Sequence, residues 1–104
     1  MKVLLVCSQG MSSAIAAKAL LDSAKKKGID VEVKECSTQD FAQEVKNGYD
    51  IALVAPQIRH RIDVLKEQAK SANVPCILIK PQGYTPLGGN KLLEQIKEEL
   101  GELK

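Results

Sequence analysis

Four short apolar runs, Val3–Val6, Val31–Val33, Ile51–Val54 and Cys76–Ile79, alternate along the chain with four segments whose apolar residues recur at the helical period. No feature constrains the fold more. Strand–helix–strand units of this length must cross over right-handed and lay their strands parallel, so the alternation predicts (βα)4. Three of the runs are nearly continuous in Val, Ile and Leu, as strands covered on both faces must be. The second differs: Asp30-Val31-Glu32-Val33-Lys34 alternates polar and apolar, the pattern of a strand with one wet face, and belongs at a sheet edge.

The intervening segments read as helices. In the first, Ala14, Ala17, Leu21 and Ala24 form an inward stripe opposite Lys18, Asp22 and Lys25, and Gly28 ends it. The short second opens at Ser37-Thr38-Gln39-Asp40 with capping-box spacing, buries Phe41, Ala42 and Val45, and stops at Asn47-Gly48. The third carries Ile58, Ile62, Leu65, Ala69 and Ala72 on one face; the fourth carries Leu92, Leu93, Ile96, Leu100 and Leu103. The expected architecture is α/β: a four-stranded parallel sheet in the order 2-1-3-4 with helices on both faces, a flavodoxin-like three-layer sandwich. A chain of 104 residues has material for one core, so residues 1–104 are expected to form a single domain.

Composition removes several classes of function. No apolar run approaches the roughly 20 residues of a membrane-spanning helix, and Met1-Lys2-Val3-Leu4-Leu5-Val6-Cys7 lacks the long apolar core of a secretory signal. A cytosolic location is expected. Lys and Arg number 15 against 13 Asp and Glu, with Phe41, Tyr49 and Tyr84 the only aromatics, so the concentrated basic face and stacking platform of a nucleic-acid binder are missing. Lys25-Lys26-Lys27 sits where a helix C-terminus would favour positive charge. Cys7, Cys36 and Cys76 contain no Cys-x-x-Cys pair, which points to reduced thiols rather than a disulfide framework or a zinc site. Cys36 would lie near Cys7 if the strand order holds, and a redox pair is then conceivable, whereas Cys76, entering the fourth strand, reads as buried. No metal cluster, phosphate-loop lysine motif or dinucleotide fingerprint is present, and no cofactor is expected.

In parallel sheets ligands sit beyond the carboxyl ends of the strands. The loop there that carries chemistry is the first, Cys7-Ser8-Gln9-Gly10-Met11-Ser12-Ser13. It places a thiol in front of a helix N-terminus, where unpaired N–H groups and about half a unit of positive charge favour an anion. That anion can be the nucleophilic thiolate or a phosphoryl group on its sulfur. Gly10 lets the backbone fold tightly, and Ser8, Ser12 and Ser13 add hydroxyl donors. The plain alternative is a small buried hydrophobe ending a strand. Low-molecular-weight tyrosine phosphatases and arsenate reductases use a related loop of Cys, five residues and Arg, but here that last place is Ser13. Without the guanidinium there is no bidentate clamp on the equatorial oxygens, so transfer to water would be poorly served.

The same residues resemble a family. Cys7 to Ser13 is similar to the Cys-Ser-x-Gly-Met-Ser-[Ser/Thr]-Ser loop of lactose/cellobiose-type enzyme IIB proteins of the bacterial phosphoenolpyruvate-dependent sugar phosphotransferase system. Ile51-Ala52-Leu53-Val54-Ala55-Pro56-Gln57-Ile58 resembles the family's third strand with its Pro-Gln-Ile turn, and the stretch from Tyr84 to Leu92 its approach to the last helix. Two departures stand out: Ala14 replaces a usual serine, and Leu87-Gly88-Gly89 stands where an acidic or amide residue often precedes glycine. The resemblance implies a phosphotransferase. Cys7 would take phosphate from a phosphohistidine on enzyme IIA and pass it to a lactose-, cellobiose- or chitobiose-type sugar held by the membrane permease, enzyme IIC. Ser8, Gln9, Gly10, Met11, Ser12 and Ser13 would form the phosphate cradle. The competing functions are a cysteine-dependent phosphatase or arsenate reductase and a non-catalytic module that binds a phosphorylated partner.

Further residues fall on the same edge. Pro56 and Gln57 lead into Arg59, His60 and Arg61, a basic group able either to meet an acidic docking face or simply to be solvated. Tyr84, in the irregular Pro81–Gly89 stretch, could touch a partner, although local packing is the simpler account. The chain is expected to act as a monomer.

Overall fold

The computed structural model describes residues 1–7 and 11–101, with the backbone alone for Met11, Ser12 and Ser13. In chain order the elements are β1 (Lys2–Cys7), α1 (Met11–Lys26), β2 (Glu32–Ser37), α2 (Phe41–Glu44), β3 (Ile51–Val54), α3 (Ile62–Ser71), β4 (Cys76–Leu78) and α4 (Gly89–Leu100). Single 3₁₀ segments run through Val45–Asn47, Pro56–Arg61 and Pro81–Gly83. The sheet is parallel in the order β2-β1-β3-β4, as the patterning predicts. Its register places Val3 beside Ile51, Val6 beside Val54, and Cys7 beside Ser37.

Strand alternation sorts the core into two layers. Leu4, Val6, Ala52 and Val54 pack with Phe41, Val45, Leu65 and Ala69 on the α2/α3 side. Val3, Leu5, Ile51, Leu53, Ile77 and Ile79 pack with Ala16, Ala17, Leu20, Leu92, Leu93 and Ile96 on the α1/α4 side. Each fully buried Val, Leu, Ile or Phe contributes about 1.5–3 kcal/mol of transfer free energy, and this is what holds the three layers together. The central strands β1 and β3 therefore have no wet face, while β2 exposes Glu32, Lys34 and Glu35.

Several local expectations shift. The inward stripe of α1 is Ala16, Ala17, Leu20 and Ala24, whereas Ala14 and Leu21 are exposed. The helix is rotated because its second neighbour is α4. A Cβ on Gly89 would lie 2.2 Å from the Ala19 carbonyl oxygen, so the two helices touch through backbone on the side of Ala16 and Ala19. β2 begins and ends later than the Val31–Val33 run and takes in Cys36 and Ser37. Consequently Ser37 is a strand residue and no capping box forms. α2 starts at Phe41 with Asp40 before it, no side chain caps it, and the Ser37 hydroxyl donates to Asp40 Oδ2 at 3.3 Å instead. Ala42 is only half-buried, while Phe41 and Val45 are enclosed. The third helical segment is a 3₁₀ stretch from Pro56 to Arg61, kinked within itself at Ile58, followed by α3. β4 closes at Leu78, one residue short of the apolar run. Leu103 lies outside the described residues. Gly28 and Gly48 follow the ends of α1 and the Val45–Asn47 turn with φ of 71° and 85°, as helix-ending glycines do.

Candidate functional site

The carboxyl edge of the sheet is where the connections diverge. From β1 the chain crosses to β2 on one side, and from β2 it crosses back to β3 on the other, so a crevice opens between the ends of β1 and β3. Cys7 is the last residue of β1 at that crevice, and α1 begins at Met11. The helix is 16 residues long with no acidic side chain in its first turn and Lys25 and Lys26 in its last. Its first turn therefore adds no carboxylate of its own to the positive end of the helix, and its negative end is answered by lysines. Met11, Ser12 and Ser13 are its first three residues, whose N–H groups have no acceptor within the helix. Ser8, Gln9 and Gly10 lie outside the described residues.

Cys7 is only 3% exposed and packs in the same core group as Val6, Ala55 and Ile58. The neighbouring strand end is pinned to it: the Ala55 N–H donates to the Val6 carbonyl at 3.0 Å. This sets the Pro56-Gln57 turn just beyond β3, beside the end of β1, with Pro56 half-buried and Gln57 exposed. Arg59, His60 and Arg61 follow in the 3₁₀ segment and are all exposed; among the described residues no ion pair holds either arginine. Tyr84 closes the Pro81–Gly83 turn after β4 and packs half-buried against both core layers.

Residues that sequence reading did not assign to the site lie on the other flank of Cys7. Ser37 shares its rung of the ladder, and Asp40 accepts the Ser37 hydroxyl. The spacing of these two residues was visible but belongs to the strand end rather than to a helix cap. Cys36, level with Val6, packs half-buried against the same core group as Cys7. Burial, then the carboxylates of Glu44 and Asp40, then Cys7 push the Cys36 thiol up to about 12, against a smaller opposing pull from Lys34. Glu44 is the hub behind it. Its Oε2 accepts from the Tyr49 hydroxyl at 2.7 Å and the Asn47 amide at 3.2 Å, and pairs with Lys34 Nζ at 3.2 Å. These bonds, Tyr49's first, hold the Glu44 carboxyl below its usual range. Burial and the same bond push the Tyr49 phenol up. Cys76 is half-buried at the opposite edge, and burial raises its thiol to about 11 despite Lys66.

Among the described residues, no group of three His, Cys, Asp or Glu side chains is placed to hold a metal ion, and no helix is long and apolar enough to cross a membrane. A groove of about 550 Å³ lined by Lys2, Val33, Lys34, Glu44 and Tyr49 runs along β2, away from the end of β1.

Known proteins resemble this chain over most of its length. The chain is 30% identical over 94 residues to the oligo-β-mannoside-specific EIIB component of the PTS of Bacillus subtilis (strain 168), covering 90% of each protein. It is 28% identical over 95 residues to the galactose-specific EIIB component of Lactococcus lactis subsp. cremoris, covering 88% of each. Its fold superposes with a TM-score of 0.79 on the lactose-specific IIB domain of the phosphoenolpyruvate:carbohydrate phosphotransferase system of Streptococcus pneumoniae, at 22% identity over 95% of this chain and 96% of that one. It superposes with a TM-score of 0.73 on the cellobiose-specific IIB component of Borrelia burgdorferi, at 28% identity over 100% and 95% of the two chains. The model of the family described as "PTS system, Lactose/Cellobiose specific IIB subunit" matches residues 2–95. A sheet of this order, a cysteine closing its central strand and a match across almost the whole chain lead to one conclusion: this protein belongs to the lactose/cellobiose-specific IIB subunits of the sugar phosphotransferase system, a family of phosphotransferases.

Proposed function

We propose that Cys7 is the phosphate-carrying residue. Its sulfur attacks the phosphorus of a phosphohistidine on enzyme IIA, the S–P bond forming as the N–P bond breaks. A hydroxyl of a sugar held by enzyme IIC then attacks the same phosphorus and releases the thiolate. Transfer of this kind asks little covalent chemistry of the protein beyond in-line positioning and charge neutralisation. The observation that carries the reading is Cys7 at the end of a central strand, just ahead of the 16-residue α1 with no acid in its first turn. Backbone N–H groups at Met11, Ser12 and Ser13, with Ser8, Gln9 and Gly10 before them, would receive the phosphoryl oxygens.

The chain would act as one unit and a monomer on the cytoplasmic side, with Pro56, Gln57, Arg59, His60, Arg61 and Tyr84 forming the partner-facing surface. Relatives named for oligo-β-mannosides, galactose and cellobiose stand at 30%, 28% and 28% identity, which fits a shared phosphoryl step with sugar choice made in the permease. A thiol only 3% exposed also means that its surroundings must give way to a partner, so a bulky thiol reagent should react far more slowly than a small one.

The test is incubation with phosphoenolpyruvate, the general phosphotransferase proteins and enzyme IIA, followed by intact-protein mass measurement. One iodine-sensitive phosphoryl group per chain is expected, and none on Cys7→Ser or Cys7→Ala. Full labelling of Cys7→Ala would remove Cys7 from the role. Continuous phosphate release would indicate a phosphatase, and no mass change with tight IIA binding a non-catalytic module.

A further inference from the structure

The strand order makes neighbours of two thiols far apart in sequence. Cys7 and Cys36 sit on adjacent strands one residue out of register, Cys7 level with Ser37 and Cys36 level with Val6. Parallel strands spaced about 4.8 Å apart with a rise of about 3.3 Å per residue put such diagonal Cα atoms about 5.8 Å apart, inside the range of disulfides. A regular pleat would point the two side chains to opposite faces. Cys7 is the last residue of its strand, however, and packs with Leu4 and Val6 into the core group that Cys36 also joins. Cys76, in β4 two strands from β1, has no such neighbour among the cysteines.

We infer that Cys7 and Cys36 form a reversible disulfide under peroxide, which takes the carrier out of phosphoryl transfer until it is reduced. The consequence for transfer rests on Cys7 as the phosphate-carrying residue; the bond itself does not. The Cys7 sulfur attacks one oxygen of hydrogen peroxide, the O–O bond breaks, hydroxide leaves, and Cys7 becomes a sulfenic acid. The Cys36 sulfur then attacks the Cys7 sulfur, the S–O bond breaks, and the hydroxyl leaves with the Cys36 proton as water. Cys7 is oxidised first because burial and the Glu44 and Asp40 carboxylates keep Cys36 protonated, which makes Cys36 the poorer nucleophile toward peroxide. Peroxide is small enough to reach a thiol that is only 3% exposed. Two electrons from a dithiol reductant reopen the bond.

The experiment treats the full-length reduced protein, Cys36→Ser, Cys36→Ala and Cys76→Ser with a small excess of hydrogen peroxide and follows intact mass and non-reduced peptides. The unaltered chain and Cys76→Ser should lose about 2 Da and yield a peptide joining Cys7 to Cys36, whereas both Cys36 variants should gain oxygen at Cys7 in steps of about 16 Da. Before peroxide, the Cys36 variants should accept phosphate like the unaltered chain. After it, acceptance should fall at least tenfold; dithiothreitol should restore it in full where Cys36 is present, but in the Cys36 variants only for the fraction still at about +16 Da, the more heavily oxidised chains staying inactive. Oxygen addition at Cys7 in the unaltered chain without the 2 Da loss, or a bridge to Cys76, overturns the inference. A Cys7–Cys36 bridge that leaves phosphate acceptance intact would uphold the disulfide and instead overturn Cys7 as the carrier.

Discussion

Two adjacent glycines at the start of α4 illustrate how a single atom decides local structure. A Cβ on Gly89 would lie 2.2 Å from the Ala19 carbonyl oxygen and 2.5 Å from Ser23 Oγ, and one on Gly88 would lie 2.2 Å from the Gln82 carbonyl oxygen. Neither glycine has a positive φ; Gly88 sits at −95°. The need is therefore for space rather than for a left-handed backbone. Gly88 departs from the acidic or amide residue that often precedes glycine in the family the chain resembles, and here the Pro81–Gly83 turn leaves no room for one. Gly89→Ala should cost about 1–3 kcal/mol, because backbone must move to admit the methyl. In thermal unfolding that is a drop of roughly 4–8 °C per kcal/mol for a chain of this size. An unchanged midpoint would mean that α1 and α4 are not held at this separation. Sequence reading could mark these residues as loop punctuation only: Gly88 avoids a turn carbonyl six residues back, and the atoms Gly89 avoids belong to α1, some 70 residues away, a separation no local pattern encodes.

At the level of elements, apolar continuity placed β1, β3 and β4, because burial on both faces leaves a mark in each residue of β1 and β3, while polar alternation marked β2 as the edge and so gave the order of the sheet. The facing of α1 was harder to read. Ala14, Ala16, Ala17, Ala19 and Ala24 are all small, so stripes rotated by one position fit almost equally, and only the contact with α4 chooses between them. The open side of β4 is likewise hidden from periodicity. There Gln95 stands in for a missing strand: its Nε2 donates to the Leu78 carbonyl at 2.6 Å and its Oε1 accepts the Lys80 N–H at 3.1 Å. Gln95→Leu should leave both peptide groups without that partner and cost about 1–3 kcal/mol. Gln95→Glu keeps the acceptor for Lys80 but turns a carboxylate oxygen toward the Leu78 carbonyl. It should therefore be less stable at pH 7 than at pH 4, where protonation restores a donor. Denaturant unfolding at the two pH values checks the order, and equal loss at both would show that the carboxamide is not capping the edge.

Charge acts over the whole molecule in two ways. The formal net charge is only +2, so long-range attraction to a partner must come from local groups such as exposed Arg59 and Arg61. Reversing both to Glu should slow phosphate exchange with enzyme IIA at low salt and have little effect at high salt, where such fields are screened. An equal rate at low salt would place docking elsewhere. Titration of interior groups acts on stability instead. Burial raises Cys36 from 9.0 to about 12 and Cys76 from 9.0 to about 11, and it raises Tyr49 as well. The folded state therefore holds protons that the unfolded chain releases from about pH 9 upward. With the unfolded state binding fewer protons, unfolding free energy must fall as pH rises, and stability fully present below pH 9 should be lost progressively toward pH 11 and beyond. Glu44 works at the other end: its folded carboxyl titrates below 4.5, so its contribution is present above that value and lost in acid. Thermal melts from pH 4 to pH 10.5 under reducing conditions should thus form a plateau that drops steeply on the alkaline side. Replacing Cys36 and Cys76 together by Ala should reduce the number of protons released on unfolding by up to two and flatten that drop. If the doubly substituted protein kept the full alkaline slope, the loss would have to come from Tyr49 or from lysine deprotonation rather than from the buried thiols.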